Sequence, residues 1–328
     1  MRGHAHAASF VLAQVVRRPR QLGRVHCRVY PKGILPARPP LSARFARHTT
    51  PFQKACSLRM ITTWSVSSET VRVPGTGLYI DWIPLFQDNY SYVLRHADSG
   101  DSVVVAVDPA DAPTFLGELQ RRFDVLAPTH VLTTHKHWDH AGGNAELARR
   151  IPSLTVYGSA AEDIPARTHP VRDGDVFEIG QSALQVRVLS TPCHTRGHVC
   201  YYVRDRHAAA DAPGVAFTGD TLFVGGCGRF FEGTGEQMLQ AMRKLAALPL
   251  DTLVFCGHEY TVKNLEFAAT VDTDNQAVQR KLAEARTRRA ASQPTVPSTI
   301  GGEQQWNVFM RASDAVEMDR LREMKNRS

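Results

Sequence analysis

Within six positions near the middle of this chain, Thr134-His135-Lys136-His137-Trp138-Asp139-His140 sets three imidazoles and a carboxylate side by side. Each of these groups needs a polar partner if it is buried, so such a cluster is hard to place in a core and reads as a set of metal ligands. The alternative is a polar surface loop. The preceding Val131-Leu132-Thr133 predicts a buried strand, and Gly142-Gly143 predicts a turn into a helix. The motif then lies at the carboxyl end of a strand, where open α/β sheets place their ligand sites. Strand alternation would aim His135 and His137 the same way, leaving Asp139 and His140 to turn toward a second point nearby.

Three further polar clusters follow predicted strands in the same manner. Thr191-Pro192-Cys193-His194-Thr195-Arg196-Gly197-His198 comes after a strand over 184–189, and Thr218-Gly219-Asp220-Thr221 after one over 215–217. Gly257-His258-Glu259-Tyr260 comes after one over 253–255. Strand ends in one layered sheet share an edge, so these loops are expected to converge on the first motif and supply donors for two metals about 3.5–4 Å apart. Histidine and carboxylate donors suit zinc, iron or manganese. The six cysteines (27, 56, 193, 200, 227 and 256) form no CxxC pair and are expected to be small buried thiols in a reducing interior.

The elements that must hold these loops read as an alternation of strands and helices. Strands are predicted over 78–80, 90–94, 103–107, 154–157, 176–179, 184–189, 200–203, 215–217 and 253–255, with helices over 114–123 and 237–248. Beyond about 260 the pattern turns helical, over 262–271 and 276–291, with no later strand expected. The division expected is an α/β body over 71–260 followed by a smaller helical domain over 261–328.

Charge is distributed unevenly. Residues 1–68 carry ten Arg, two Lys and no acid, whereas the rest carries 27 basic and 32 acidic residues, a net −5. The overall +7 therefore belongs to the leader, and nucleic-acid binding by the body is disfavoured. No apolar run approaches the roughly 18 residues that a membrane span needs. The Arg-rich leader has transit-peptide composition, and its segment 10–16 ahead of Arg17-Arg18 suggests a short basic amphipathic helix. A mitochondrial matrix destination is expected for a mostly disordered leader, with a plastid open as well. A start at Met60 would give a cytosolic form.

Taken together, Thr-His-Lys-His-Trp-Asp-His, Thr-Pro-Cys-His-Thr-Arg-Gly-His, Phe-Thr-Gly-Asp-Thr-Leu-Phe and Cys-Gly-His-Glu-Tyr resemble the glyoxalase II (hydroxyacylglutathione hydrolase) family of the metallo-β-lactamase superfamily. The similarity runs from about 78 to 325. The run Cys227-Gly228-Arg229-Phe230-Phe231-Glu232-Gly233 and the stretch Pro294-Thr295-Val296-Pro297-Ser298-Thr299 narrow it to that family. The resemblance implies an α/β fold, a metallo-β-lactamase αββα sandwich, with the helical domain binding substrate.

It also implies two divalent metal ions per chain, zinc expected first. One would be held by His135, His137 and His194, the other by Asp139, His140 and His258, with Asp220 bridging and His198 positioning or packing. A hydroxide between the metals would attack the thioester, with Asp139 or Asp220 orienting it, and thiolate would leave without a strong acid. The implied reaction is S-D-lactoylglutathione plus water to D-lactate and glutathione, in methylglyoxal detoxification.

For substrate, the resemblance assigns Arg229, Tyr260, Arg322 and Lys325, the last two meeting the glycine carboxylate from one helical face. Phe231 stands where the family has a tyrosine, so a hydroxyl contact is missing. A dyskinesia-associated relative with Phe at that position keeps open an alternative, a weak hydrolase acting mainly through a protein partner. The expected partner is a glutathione thioester, with no nucleic acid, no membrane span and a monomeric state.

Overall fold

The computed structural model describes residues 14–16 and 70–328, apart from Leu126. The first sheet runs in sequence order through β1 (Gln14–Val16), β2 (Thr70–Arg72), β3 (Leu78–Leu85), β4 (Asn89–His96), β5 (Val104–Val107), β6 (His130–Leu132), β7 (Thr155–Ser159) and β8 (His169–Val171). Its first five strands are antiparallel neighbours, whereas β5 to β8 are parallel. Parallel neighbours need crossovers, supplied by α1 (Ala112–Phe123) between β5 and β6 and by α2 (Trp138–Ala141) and α3 (Asn144–Arg150) between β6 and β7. The second sheet has the order β16 (Ser298–Thr299), β15 (Leu253–Cys256), β12 (Val215–Gly219), β11 (Val199–Asp205), β10 (Leu184–Ser190) and β9 (Val176–Glu178). A small hairpin joins β13 (Leu222–Phe223) to β14 (Gly226–Cys227).

Side-chain alternation assembles the layers. In β5, Val105 and Val107 enter a core shared by both sheets with Val186, Val188, Tyr201, Phe217 and Phe255. Their neighbours Val104 and Ala106 face the other way and meet Phe115 and Leu119 of α1 and Leu147 of α3. The second sheet does the same, turning Tyr202, Ala216 and Val254 onto α4 (Gly235–Ala246), whose Met238, Met242 and Leu245 recur at helical spacing. Thr234 and Gln237 close that helix's first turn as a reciprocal capping box. The fold is thus an α/β sandwich of two sheets between helices, followed by the helical α5 (Thr261–Val271), α6 (Gln276–Ala290), α7 (Ile300–Trp306) and α8 (Ala315–Asn326). Among the described residues, no helix is long and apolar enough to cross a membrane.

Three expectations need correction. Gln14–Val16 is an edge strand antiparallel to Thr70–Arg72 rather than part of a helix, in keeping with the β preference of Val15-Val16. The remainder of the leader lies outside the described residues. A late strand does exist: β16 pairs antiparallel with β15. Two residues are too few to show a period. Strand β6 stops at Leu132, so His135 and His137 converge through the loop before α2, not by alternation along a strand.

Candidate metal centre

Every candidate ligand lies in the loop or short helix that follows a strand of one sheet or the other. His135 and His137 follow β6, Asp139 and His140 sit on α2, His194 follows β10, Asp220 follows β12 and His258 follows β15. The two sheets are stitched at this edge: Tyr90 N donates to Gly257 O at 2.8 Å, and Val199 N to Thr134 O at 2.9 Å. Gly142 and Gly143 let α2 fold back closely, since a Cβ at Gly143 would stand 1.9 Å from Pro109 O.

The donor atoms fall into two groups. His137 Nδ1 lies 3.0 Å from both His135 Nε2 and His194 Nε2. His140 Nε2 and His258 Nε2 are 3.3 Å apart, with Asp139 Oδ2 3.5 Å from the latter. Asp220 stands between the groups: its Oδ2 is 3.4 Å from His194 Nε2, and its Oδ1 is 3.3 and 3.5 Å from His140 and His258 Nε2. The sets His135–His137–His194, His135–His140–Asp220 and Asp139–His140–His258 each keep their donor atoms within 4.8 Å of one another.

Partners behind the ligands decide what these atoms can do. His140 Nδ1 bonds the Asp108 carboxylate at 2.8 Å, His258 Nδ1 bonds Asp88 at 2.8 Å, and His194 Nδ1 donates to Arg229 O at 3.0 Å. Thr134 Oγ1, donating to Asp108 at 2.6 Å, is left to accept from His135 Nδ1 at 3.1 Å. In the neutral rings of His135, His140, His194 and His258 the outer Nδ1 therefore carries the proton, and their inner Nε2 lone pairs face one another and His137 Nδ1. Asp220 Oδ1 is likewise buried without a hydrogen bond. Lone pairs and an anionic oxygen converging in this way fit a divalent cation site.

Titration gives the same sign. Burial lowers His140, but the Asp220 and Asp108 carboxylates outweigh it and hold the ring well above its ordinary pKa. His258, equally opposed by burial, is raised to about 9 by Asp220 and Asp88. Asp220 is held well below the carboxylate range, because His258 and His140 outweigh its desolvation. The cluster demands positive charge, and cation binding displaces the protons that otherwise provide it.

Several of these supporting groups went unassigned in the sequence. Asp108 was visible only as the end of a strand and Asp88-Asn89 only as a turn, yet Asn89 Nδ2 reaches Asp139 Oδ2 at 3.1 Å. Asp108 adopts a left-handed φ of 47° and is held there as its oxygens accept from Thr134 N, Thr134 Oγ1 and His140. His198, fully buried, accepts from Asp220 N through Nε2 at 3.1 Å and stacks on His135. It holds the backbone of Asp220 and stays outside the donor groups.

One cavity of about 930 Å³ opens from this cluster. His137, Trp138, Asp139, His194, Asp220 and His258 line it at the ligand side, and it also takes in Arg229, Phe231, Tyr260, Lys263, Arg322 and Lys325. Arg322 is buried, donates to Cys227 O at 3.1 Å and leaves Nε unpartnered. Lys325 donates to Lys263 O at 2.7 Å, and burial lowers its pKa to about 8. Tyr260 lies parallel to the His258 ring at 4.8 Å. Phe231 is 61% exposed, with its ring centroid 5.1 Å from that of His194. The four described cysteines are buried thiols, and burial pushes each to about 12, so none competes as a thiolate ligand. Cys27 and Cys56 lie outside the described residues.

A helix-flanked double sheet with His and Asp loops on one edge defines the metallo-β-lactamase superfamily, whose family model matches residues 86–258. A metallo-β-lactamase from Staphylococcus aureus subsp. aureus COL shares the fold with a TM-score of 0.55 and 22% identity, over 76% of this chain and 70% of that one. The model described as the hydroxyacylglutathione hydrolase C-terminus matches residues 259–328. The cytoplasmic hydroxyacylglutathione hydrolase of Arabidopsis thaliana is 46% identical over 73% of this chain and 90% of the relative. A hydroxyacylglutathione hydrolase-like protein of Gallus gallus is 49% identical over 71% of this chain and 79% of the relative. The chain belongs to the hydroxyacylglutathione hydrolase family.

Proposed function

We propose that this chain hydrolyses S-2-hydroxyacylglutathione thioesters, with S-D-lactoylglutathione and water giving D-lactate and glutathione in the second step of methylglyoxal detoxification. The observation that carries this reading is the single cavity joining the His/Asp cluster to Arg229, Lys263, Arg322 and Lys325. An anionic tripeptide thioester has a cationic wall for its carboxylates and a metal-type centre for its carbonyl.

Two ions, zinc first among zinc, iron and manganese, are proposed on His135–His137–His194 and Asp139–His140–His258, with Asp220 common to both. Such ions supply Lewis acidity and lower the pKa of bound water. The chain's own residues do the rest. Arg322 and Lys325 take the glycine carboxylate, aided by Arg229, while Tyr260 and Phe231 flank the thioester. Asp139 or Asp220 orients the attacking water, and Asp139, which is not held to both ions, takes its proton. A thiolate leaves readily, so no buried acid is required. Residues 71–260 are proposed as the catalytic domain and 261–328 as the substrate-binding domain of a monomer. The basic, acid-free leader supports delivery to the mitochondrial matrix, with a plastid or a cytosolic form from Met60 as the alternatives.

The complete ligand set does not favour a role through a partner protein alone. Steady-state hydrolysis of lactoylglutathione tests the reading: Asp220→Ala is expected to lower kcat/KM about a hundredfold or more. A wild-type rate no better than the variant's would sink it.

A further inference from the structure

Between Asp220 and Arg229 the chain makes the β13–β14 hairpin, and this hairpin carries the centre's support at both feet. At one foot, Thr218 Oγ1 donates to Leu222 O at 2.7 Å, and a Cβ on Gly228 would stand 1.9 Å from Asp220 O. At the other, Arg229 O receives the His194 Nδ1 proton. A small shift of the hairpin therefore moves a ligand carboxylate and re-aims a ligand imidazole together.

Phe223 and Val224 pack into the core between the sheets, and the hydrogen bonds to the hairpin's tip come from the C-terminal helices. Glu303 of α7, fully buried, accepts from Gly225 N at 2.8 Å, from Trp306 Nε1 at 3.1 Å and from Asn307 Nδ2 at 2.9 Å. Asn307, just past α7, also donates to Gly226 O at 3.0 Å and Phe223 O at 3.3 Å. Asn264 of α5 donates to Val224 O at 3.2 Å. The contacts fall on hairpin backbone atoms, so they set its position whatever side chains it bears. A buried carboxylate costs desolvation, and well-packed apolar groups often serve stability as well. Its use at Glu303, met only by donors, suits the fixing of one geometry.

We infer that Glu303 and Asn307 are positioning residues for the metal centre, holding the hairpin so that Asp220 and His194 meet the ions at the right spacing. The C-terminal helices thereby help build the centre as well as bind substrate. The inference rests on the ligand set proposed above. Its test is zinc affinity of the metal-stripped full chain, by chelator competition well below the melting temperature. Glu303→Gln, which keeps shape but opposes an amide N–H to Asn307 or Trp306, is expected to weaken zinc binding about 10–100-fold. Asn307→Ala, which removes the donors to Phe223 O, Gly226 O and Glu303, is expected to weaken it in the same direction and decides the matter if the first variant fails to fold. In the zinc-loaded enzyme kcat should fall with KM for lactoylglutathione within about twofold. Wild-type zinc affinity in both folded variants, even with a lowered melting temperature, would overturn the inference. Wild-type affinity in Asp220→Ala would instead sink the ligand set itself.

Discussion

Phe231, expected from the resemblance to stand in place of a tyrosine, has its ring beside His194 and His137 at the cavity. Restoring one neutral hydrogen bond is worth about 0.5–1.5 kcal/mol. Phe231→Tyr is therefore expected to lower KM for lactoylglutathione roughly two- to tenfold with kcat little changed, which steady-state kinetics reads directly. An unchanged KM would place the substrate away from this ring. Lys325 gives a pH signature. Its pKa, lowered by burial to about 8, leaves it cationic below that pH and neutral above. KM should accordingly be flat at acid pH and rise as pH passes through 8, and Lys325→Met should have a higher KM without that step. A step that persists in the variant belongs to another group.

At the scale of elements, the centre depends on how loops are held where their strands end. Asp108, at the end of β5, joins Thr134 to His140 through both carboxylate oxygens. Asp108→Asn would set an amide N–H against one of these donors. Zinc affinity by chelator competition should fall about 10–100-fold while the circular-dichroism spectrum stays native. Full affinity would show that His140 is oriented without it. Much of this scale was legible in the sequence, because β-branched runs and alternation mark strands and the runs that bear the site are followed within five residues by His or Asp. What escaped were the elements too short for a period, such as β16, and the reason His135 and His137 converge. That convergence comes from the loop's path between β6 and α2.

For the whole molecule, the ligand cluster ties loops of both sheets to one point, so ion binding and folding are linked. Ions held at a thousandfold excess over Kd add about 4 kcal/mol to the native state. Metal removal is expected to lower the melting temperature by about 10 °C in calorimetry, with recovery on adding zinc back. A melting temperature indifferent to chelator would mean that no ion is held by the buried donors.

The sequence by itself determined which residues can ligate a metal, that they sit at strand ends, and that a helical segment follows the α/β body. Residue type and local period are enough for that, since His and Asp spacing and apolar alternation are written along the chain. The resemblance implied how the donors divide and that Asp220 stands between them; only the tertiary structure gave their spacing and put Asp88, Asp108 and Glu303 behind them. Those pairings join residues up to 170 positions apart, as between His258 and Asp88. No local period encodes such distances; the packing of two sheets and the helices around them does.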